Sequence, residues 1–176
     1  MALTVVARTM TRLAAYDASE WTELFVATAG ASAALAGLVF VAVSINVDRI
    51  LKLPGVPERA LETVLLLLSV VLVSIVGLIP GQDTTALGAE LFGLSVVLGL
   101  AIAALAARSM ADSQQPRSRL VWRLILLAAG TLPVLVGGVS ILAEAGGGLY
   151  WIAAAIVFAI VGGVGNAWVL LIEILR

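Results

Sequence analysis

Five apolar stretches dominate this sequence, and each is long enough to cross a lipid bilayer as a helix. A hydrocarbon core of about 30 Å requires roughly 20 apolar residues in a helical span. The chain therefore predicts an all-α, polytopic integral membrane protein, a bundle of five transmembrane helices that forms one transmembrane domain over residues 1–176. The predicted spans cover residues 24–47, 61–80, 88–107, 120–142 and 149–173.

The low content of charged residues supports a membrane location. The chain is 62% hydrophobic and only 12% charged, whereas a soluble domain carries about 25% charged residues. So few charged groups give too little polar surface to coat a water-soluble globule. We therefore expect the lipid bilayer to surround most of the protein, with no length left over for a separate soluble domain.

The segments between the spans carry residues that end one helix and start the next. Pro57 suits the first turn of a helix, because its missing N–H would have no intrahelical partner there. Pro80 and Gly81 suit the end of a helix, and Asp83 or Thr84 suits the N-cap of the following one. These residues predict boundaries before and after the second span.

The N-terminal arm, residues 1–20, precedes the first span. Within it, four apolar side chains share one face of a helix, and Arg8 and Arg12 lie opposite. This pattern is typical of a short amphipathic helix that lies in the membrane interface. The alternative is a frayed polar terminus. The four apolar residues are Leu3, Val6, Met10 and Leu13.

The basic residues are distributed unevenly between the two sides of the predicted bundle. Arg8 and Arg12 lie on the side of the N-terminal arm, and the other eight lie opposite. Cytoplasmic loops retain Lys and Arg, so we expect the N-terminus outside and the C-terminus in the cytoplasm. The preference for Arg over Lys indicates a GC-rich bacterial genome and hence the bacterial inner membrane. The eight are Arg49, Lys52, Arg59, Arg108, Arg117, Arg119, Arg123 and Arg176.

The first span has one helical face made mostly of small residues. Gly30, Gly37 and Ser44 recur at intervals of seven on this face, and Ala33, Ala34 and Val41 lie beside them. Helices associate in lipid through close packing and interhelical hydrogen bonds, and small residues let their backbones approach. The pattern predicts that this face contacts protein, within the protomer or across a subunit boundary. The lipid-facing residues would then be Leu35, Leu38, Val39 and Ala42.

The fourth and fifth spans carry similar faces. In the fifth, small and polar residues share one side, and in the fourth, Gly130 and Gly137 lie on one line. We expect the glycines and alanines of both spans to serve helix packing. Asn166 lies within the membrane, and Glu173 lies near its cytoplasmic edge. The residues of the fifth span are Ala155, Ala159, Gly162, Gly163, Asn166 and Glu173.

Catalysis is not expected from this sequence. The chain contains no cysteine and no histidine, which removes thiol chemistry, most zinc sites and the usual group for proton transfer near neutral pH. We predict no catalytic residues, no metal site, no cofactor and no nucleic-acid partner. Glu62, Glu90, Glu144 and Glu173 fall near membrane edges, where a carboxylate is solvated or paired with arginine. Without a central ionisable residue, an ion-coupled transporter is also disfavoured.

Two functions remain for such a chain. The first is a homo-oligomeric channel or pore for ions or small solutes, since five short helices enclose too little volume for a wide path in one protomer. The second is an accessory or scaffold subunit that holds another membrane protein. Both would use the same small-residue faces. The candidate pore-lining or polar interface residues are Asn166, Glu173, Gly162, Ser44 and Gly37.

Overall fold

The computed structural model describes residues 14–53, 55–111 and 117–175, and in these ranges the chain is helical without any β-strand. A short 3-10 helix, Ala18–Trp21, precedes the first long helix, and a single helical turn, Val47–Ile50, follows it. The prediction of an all-α bundle is confirmed. The five long helices are α1 (Thr22–Ile45), α2 (Val56–Gly77), α3 (Thr84–Ala111), α4 (Arg117–Leu142) and α5 (Leu149–Leu175).

Four of these helices are long and apolar enough to cross a membrane. In α4 the apolar part within the described residues is shorter, Ala128–Leu142. The helix boundaries follow local chemistry. α2 begins at Val56, and Pro57 lies in its first turn as predicted, directly after Gly55, which takes a left-handed conformation with φ of 79°. The backbone N–H of Ala86 donates to Asp83 Oδ1 at 2.6 Å, which confirms Asp83 as a capping residue of α3.

Some predictions fall on parts of the chain that are not described. The amphipathic helix predicted for the N-terminal arm falls largely on residues 1–13, which are outside the described residues. The backbone at Glu173 belongs to α5, but its side chain is also outside the described part.

The chain order of the helices differs from their order in space. α1 packs on α2, α2 on α5, α5 on α4 and α4 on α3, and α2 also touches α3 and α4. α2 is therefore the central helix and α1 a peripheral one. The core consists mainly of branched apolar side chains from α2 to α5, joined by Phe25 of α1. The branched residues include Leu66, Val70, Val73, Leu91, Val134, Ile141, Ile152 and Ile156.

Glycine permits a close approach between α3 and α4. A Cβ added at Gly138 would lie 2.8 Å from the backbone nitrogen of Phe92 and 3.0 Å from its Cα. Further along the same pair of helices, a Cβ at Gly88 would lie 2.9 Å from Leu142 Cγ. Backbone atoms cannot yield to a side chain as a flexible side chain can. Only glycine therefore fits at position 138.

The end of the bundle that carries Trp21, residues 78–83 and residues 143–148 is called the Trp21 end. The Leu149 N–H donates to the Ala15 carbonyl at 2.8 Å, and Trp21 Nε1 donates to the Ala14 carbonyl at 2.7 Å. The Trp21 and Tyr150 rings meet edge to face, with centroids 4.9 Å apart. Gly148, at φ of 50°, leaves no room for a Cβ against the Ala15 carbonyl. These contacts fix the start of the described chain to α5.

The opposite end of the bundle, which carries residues 46–55, is called the Ile50 end. Ile50, Val56, Ala60 and Leu170 form a small buried apolar cluster there. The Asn46 side-chain amide donates to the Ala42 carbonyl at 2.8 Å and helps end α1. The connection between α1 and α2 is therefore folded back against the last part of α5.

Candidate functional site

The small-residue face of α1 points away from the rest of the protomer. Phe25 and Ser32 are buried on the opposite face, and Leu35 and Val39 are half-buried there. Of the four residues predicted to face lipid, Leu35, Val39 and Ala42 are therefore half-buried on the side toward α2, whereas Leu38 is exposed as predicted. Along the outward face, every small residue of the predicted row is exposed. The α1 row consists of Gly30, Ala33, Ala34, Gly37, Val41 and Ser44.

The geometry around the two glycines shows how open this face is. A Cβ added at Gly30 or at Gly37 would meet no other atom within 4 Å. Leu38, beside Gly37, is 68% exposed. Within the described residues, the α1 row therefore has no packing partner in the protomer.

The inward face of α1 contains its two buried side chains, Phe25 and Ser32, and a hydrogen bond to α2. The Phe25 ring fills the space left by the missing side chain of Gly77 in α2. Further along, the hydroxyl oxygens of Thr28 and Ser74 are 2.9 Å apart and form a hydrogen bond between the two helices. Ser32 is fully buried, and its hydroxyl oxygen has no hydrogen-bond partner. The fit of Phe25 over Gly77 and the Thr28–Ser74 hydrogen bond thus hold this face against α2.

The small residues of α5 have the opposite environment. Ala155 and Ala159 are buried, as are Gly162 and Gly163. A Cβ at Gly163 would lie 2.9 Å from Leu67 Cδ2, and one at Gly162 would lie 3.8 Å from Leu66 Cδ1. Gly162 therefore lies at a helix contact with α2.

The glycines of α4 pack in the same way. A Cβ at Gly130 would lie 2.9 Å from Leu66 Cδ2 and 3.5 Å from the Ala159 Cβ. A Cβ at Gly137 would lie 2.5 Å from Ile152 Cδ1. These two glycines bring α4 close to α2 and α5.

The two candidate polar residues whose side chains are described, Asn166 and Ser44, do not lie together. Asn166 is half-buried on α5, one helical turn beyond Gly162 toward the Ile50 end. Ser44 lies on the outward face of α1, and its hydroxyl donates to the Phe40 carbonyl of its own helix at 2.8 Å. The polar residues of α1 and α5 thus belong to different surfaces of the protomer.

Sequence reasoning missed the burial of Glu62. It placed this residue at a membrane edge, in a solvated or arginine-paired setting, but Glu62 and its neighbour Thr63 are fully buried in α2. Glu62 lies six residues after Val56, about 9 Å along the helix. The sequence contains an indication of this burial, because Glu62 lies on the same helical face as Leu66 and Val73. Buried carboxylates within membrane helices are rare and mark sites of functional interest.

A small void lies between three helices in the part of the chain that the structure describes. A cavity of about 10 Å³ lies between α2, α4 and α5, beside Ser69, Gly130 and Ala159. This volume is at the lower limit for a single water molecule. Among the described residues, no three acidic side chains lie close enough together to hold a metal ion.

Comparisons of this chain with protein-family models, with curated proteins and with solved structures find no match. The function is therefore inferred from the residues and their geometry.

Proposed function

We propose that this protein acts as a non-catalytic homo-oligomer in the membrane, with the α1 row as the contact between subunits. We further propose that ions or small solutes pass between the subunits of this assembly. The two parts of the proposal depend on different observations and have separate tests.

The exposed α1 row supports self-association. Glycine and alanine in a membrane helix let another backbone approach closely, which increases van der Waals contact. In α4 and α5 such residues are already in contact with other helices of the protomer. In α1 they are exposed, and Gly30 and Gly37 have open space beside them. Copies of α1 from neighbouring subunits would pack along the flanks of this row and leave its middle line, with Gly37 and Ser44, facing the axis of the assembly.

The packing of the interior supports a path between subunits. The cavity between α2, α4 and α5 holds about 10 Å³, whereas a conducting path requires continuous space lined by polar or weakly polar groups. The positions proposed along the path are Gly37 and Ser44. Asn166 and Glu173 become pore-lining only if α5 also reaches the axis of the assembly.

A second function, scaffold for another membrane protein, is favoured by one observation. The Ser44 hydroxyl already donates to the Phe40 carbonyl of its own helix at 2.8 Å. The α1 row therefore offers a closely packing surface with little polarity for water or ions. In this alternative the row contacts a different polypeptide, and the isolated protein does not conduct.

Native mass measurement in mild detergent tests self-association. Gly37→Leu places a large side chain in the α1 row and should reduce the oligomer mass to that of smaller species. Ala31→Leu is the matched control, because Ala31 is also exposed but lies on a different flank of α1. A monomeric parent protein, or equal loss of mass in both variants, would contradict the proposed interface.

Blocking by thiol reagents tests conduction, since the chain contains no cysteine of its own. In liposomes, ion flux through Ser44→Cys should fall after reaction with a bulky thiol reagent. Flux through Ala31→Cys should remain unchanged. An oligomeric parent that carries no flux would refute the path and leave the scaffold function in its place.

We also propose the bacterial inner membrane as the location, with the Trp21 end outside. The uneven distribution of basic residues supports this orientation. A membrane-impermeant thiol label applied to intact cells should modify Ala145→Cys at the Trp21 end and spare Asp48→Cys at the Ile50 end. Both positions are exposed, and neither change alters a basic residue. The reverse labelling pattern would overturn the orientation.

A further inference from the structure

The segment that follows α1, residues 46–53, is held in a fixed position at the Ile50 end. The backbone N–H of Ile50 donates to the Asn46 carbonyl at 2.9 Å, and the N–H of Leu53 donates to the Ile50 carbonyl at 3.1 Å. The Ile50 side chain is buried in the apolar cluster that joins this segment to α2 and α5. Side chains on the outer side of the segment therefore extend from a hydrogen-bonded backbone that is anchored to the bundle.

The outer side of this segment combines apolar and basic side chains. Val47 and Leu51 are 43% and 68% exposed, and Arg49 and Lys52 are exposed as well, as is the acidic Asp48. Within the part of the chain that the structure describes, no side-chain hydrogen bond or ion pair involves Arg49 or Lys52. The exposed surface therefore includes two apolar side chains and two cations that no described residue neutralises.

The lengths of the flanking helices place this segment at the membrane surface. α1 has 24 residues and α2 has 22, so at 1.5 Å per residue they are about 36 and 33 Å long. The hydrocarbon core of a bilayer is about 30 Å thick. The segment between the two helices therefore lies at the level of the lipid headgroups. Basic side chains can meet phosphate groups at this level while apolar side chains reach the acyl chains.

The charge of the sequence on this side of the bundle also favours an anionic membrane surface. By sequence, eight of the ten basic residues fall on the side of this segment. Anionic lipids attract basic segments next to a membrane, and the attraction falls off within a Debye length. A soluble anion would gain nothing from Val47 and Leu51. A phospholipid offers a phosphate to the cations and acyl chains to these two side chains.

We propose that residues 46–53 form a binding surface for anionic phospholipid of the phosphatidylglycerol class. Arg49 and Lys52 pair with the headgroup phosphates, and Val47 and Leu51 contact the first part of the acyl chains. The buried Ile50 holds the segment at the depth that these contacts require. The surface includes no residue of the α1 row, so the inference does not depend on the proposed self-association or conduction.

Native mass measurement of the full chain in mild detergent tests this proposal, with phosphatidylglycerol and phosphatidylcholine that have identical acyl chains. The parent should bind phosphatidylglycerol more tightly. The double variant with Arg49→Gln and Lys52→Gln should lose at least about tenfold in affinity for this lipid, because each basic residue near an anionic lipid adds to the attraction. The charge-preserving double variant with Arg49→Lys and Lys52→Arg is the matched control and should keep the affinity of the parent.

Two further measurements separate charge from local damage and lipid from a soluble anion. Asp48→Asn removes an exposed charge of the opposite sign from the same segment, so it should bind phosphatidylglycerol at least as tightly as the parent does. Glycerol 3-phosphate, which has a phosphate but no acyl chains, should bind more weakly than the lipid. Equal affinities of the parent for the two lipids, or for phosphatidylglycerol and glycerol 3-phosphate, would overturn the proposal. An unchanged affinity in the glutamine variant, or an equal loss in the charge-preserving variant, would also overturn it.

Discussion

α1 and α2 follow each other in the chain and are both apolar enough to cross a membrane, yet they occupy different positions in the bundle. In the most apolar part of each helix, 56% of the residues are buried in α2 and 11% in α1. α2 is surrounded by four helices, whereas α1 contacts mainly α2. Apolarity therefore brings a helix into the membrane but does not decide its place within the bundle.

The two helices differ in the side chains that they present to neighbouring helices. α2 carries large branched side chains, such as Leu66 and Leu67, that fill spaces beside the glycines of α4 and α5. The glycines of α1 face outward, where no described side chain of the protomer packs against them. Lipid chains solvate an apolar helix well, so apolarity alone does not favour contact with other helices. The close packing of side chains between helices therefore determines which helix is central.

The largest expected difference in stability between the two helices appears when one leucine in each is replaced by alanine. Leu66→Ala in α2 should cost about 2 kcal/mol or more of unfolding free energy, because Leu66 is fully buried and its loss leaves a cavity. Leu38→Ala in α1 should cost less than about 0.5 kcal/mol, because Leu38 is exposed. Reversible unfolding in mixed micelles measures both. Similar costs would contradict the peripheral position of α1.

A second comparison adds one methyl group to each helix. Gly77→Ala in α2 would force the Phe25 ring to move, and we expect a cost of about 1–3 kcal/mol. Gly37→Ala in α1 meets open space and should stabilise the monomer by up to about 1 kcal/mol through helix propensity. Gly93→Ala, also in open space on α3, serves as the control for propensity alone. A destabilised Gly37→Ala monomer would show that the row is already packed.

The hydrogen bond between Thr28 and Ser74 joins the two helices directly. A double-mutant cycle with Thr28→Val and Ser74→Ala should give a coupling of about 0.6 kcal/mol, the typical size for hydrogen bonds between membrane helices. The same unfolding assay measures all four proteins of the cycle. A coupling near zero would mean that the side-chain contact contributes nothing to docking α1 on α2.

The smallest effect concerns the start of α1. The hydrogen bonds from Ser19 lower the pKa of Asp17, so they stabilise the folded state above the usual pKa of 3.8. This stabilisation is lost as the pH falls through the lowered folded-state pKa. Because Asp17 is exposed, we expect at most about 0.5 kcal/mol. The thermal midpoint of the parent should fall more than that of Asp17→Asn on acidification. Parallel curves would exclude this contribution.

Several local features were readable from the sequence because they depend on neighbouring residues alone. Asp83 caps α3 through the N–H of Ala86, as the polar segment after Pro80 predicted. Pro57 lies in the first turn of α2, where its missing N–H has no cost. The burial of Glu62 could not be predicted from its distance to the helix end, because it depends on how the neighbouring helices pack around α2.

The sequence by itself determined the class of this protein: long apolar runs with few charges form helices in lipid, and this depends only on length and composition. It also showed that α1 has a small-residue face and a bulky face. Only the tertiary structure decided which of them meets α2, because both faces are compatible with lipid and with protein. The choice depended on the Phe25 ring fitting over Gly77 and on Thr28 reaching Ser74. Such contacts between residues distant in sequence exist only once the helices have packed.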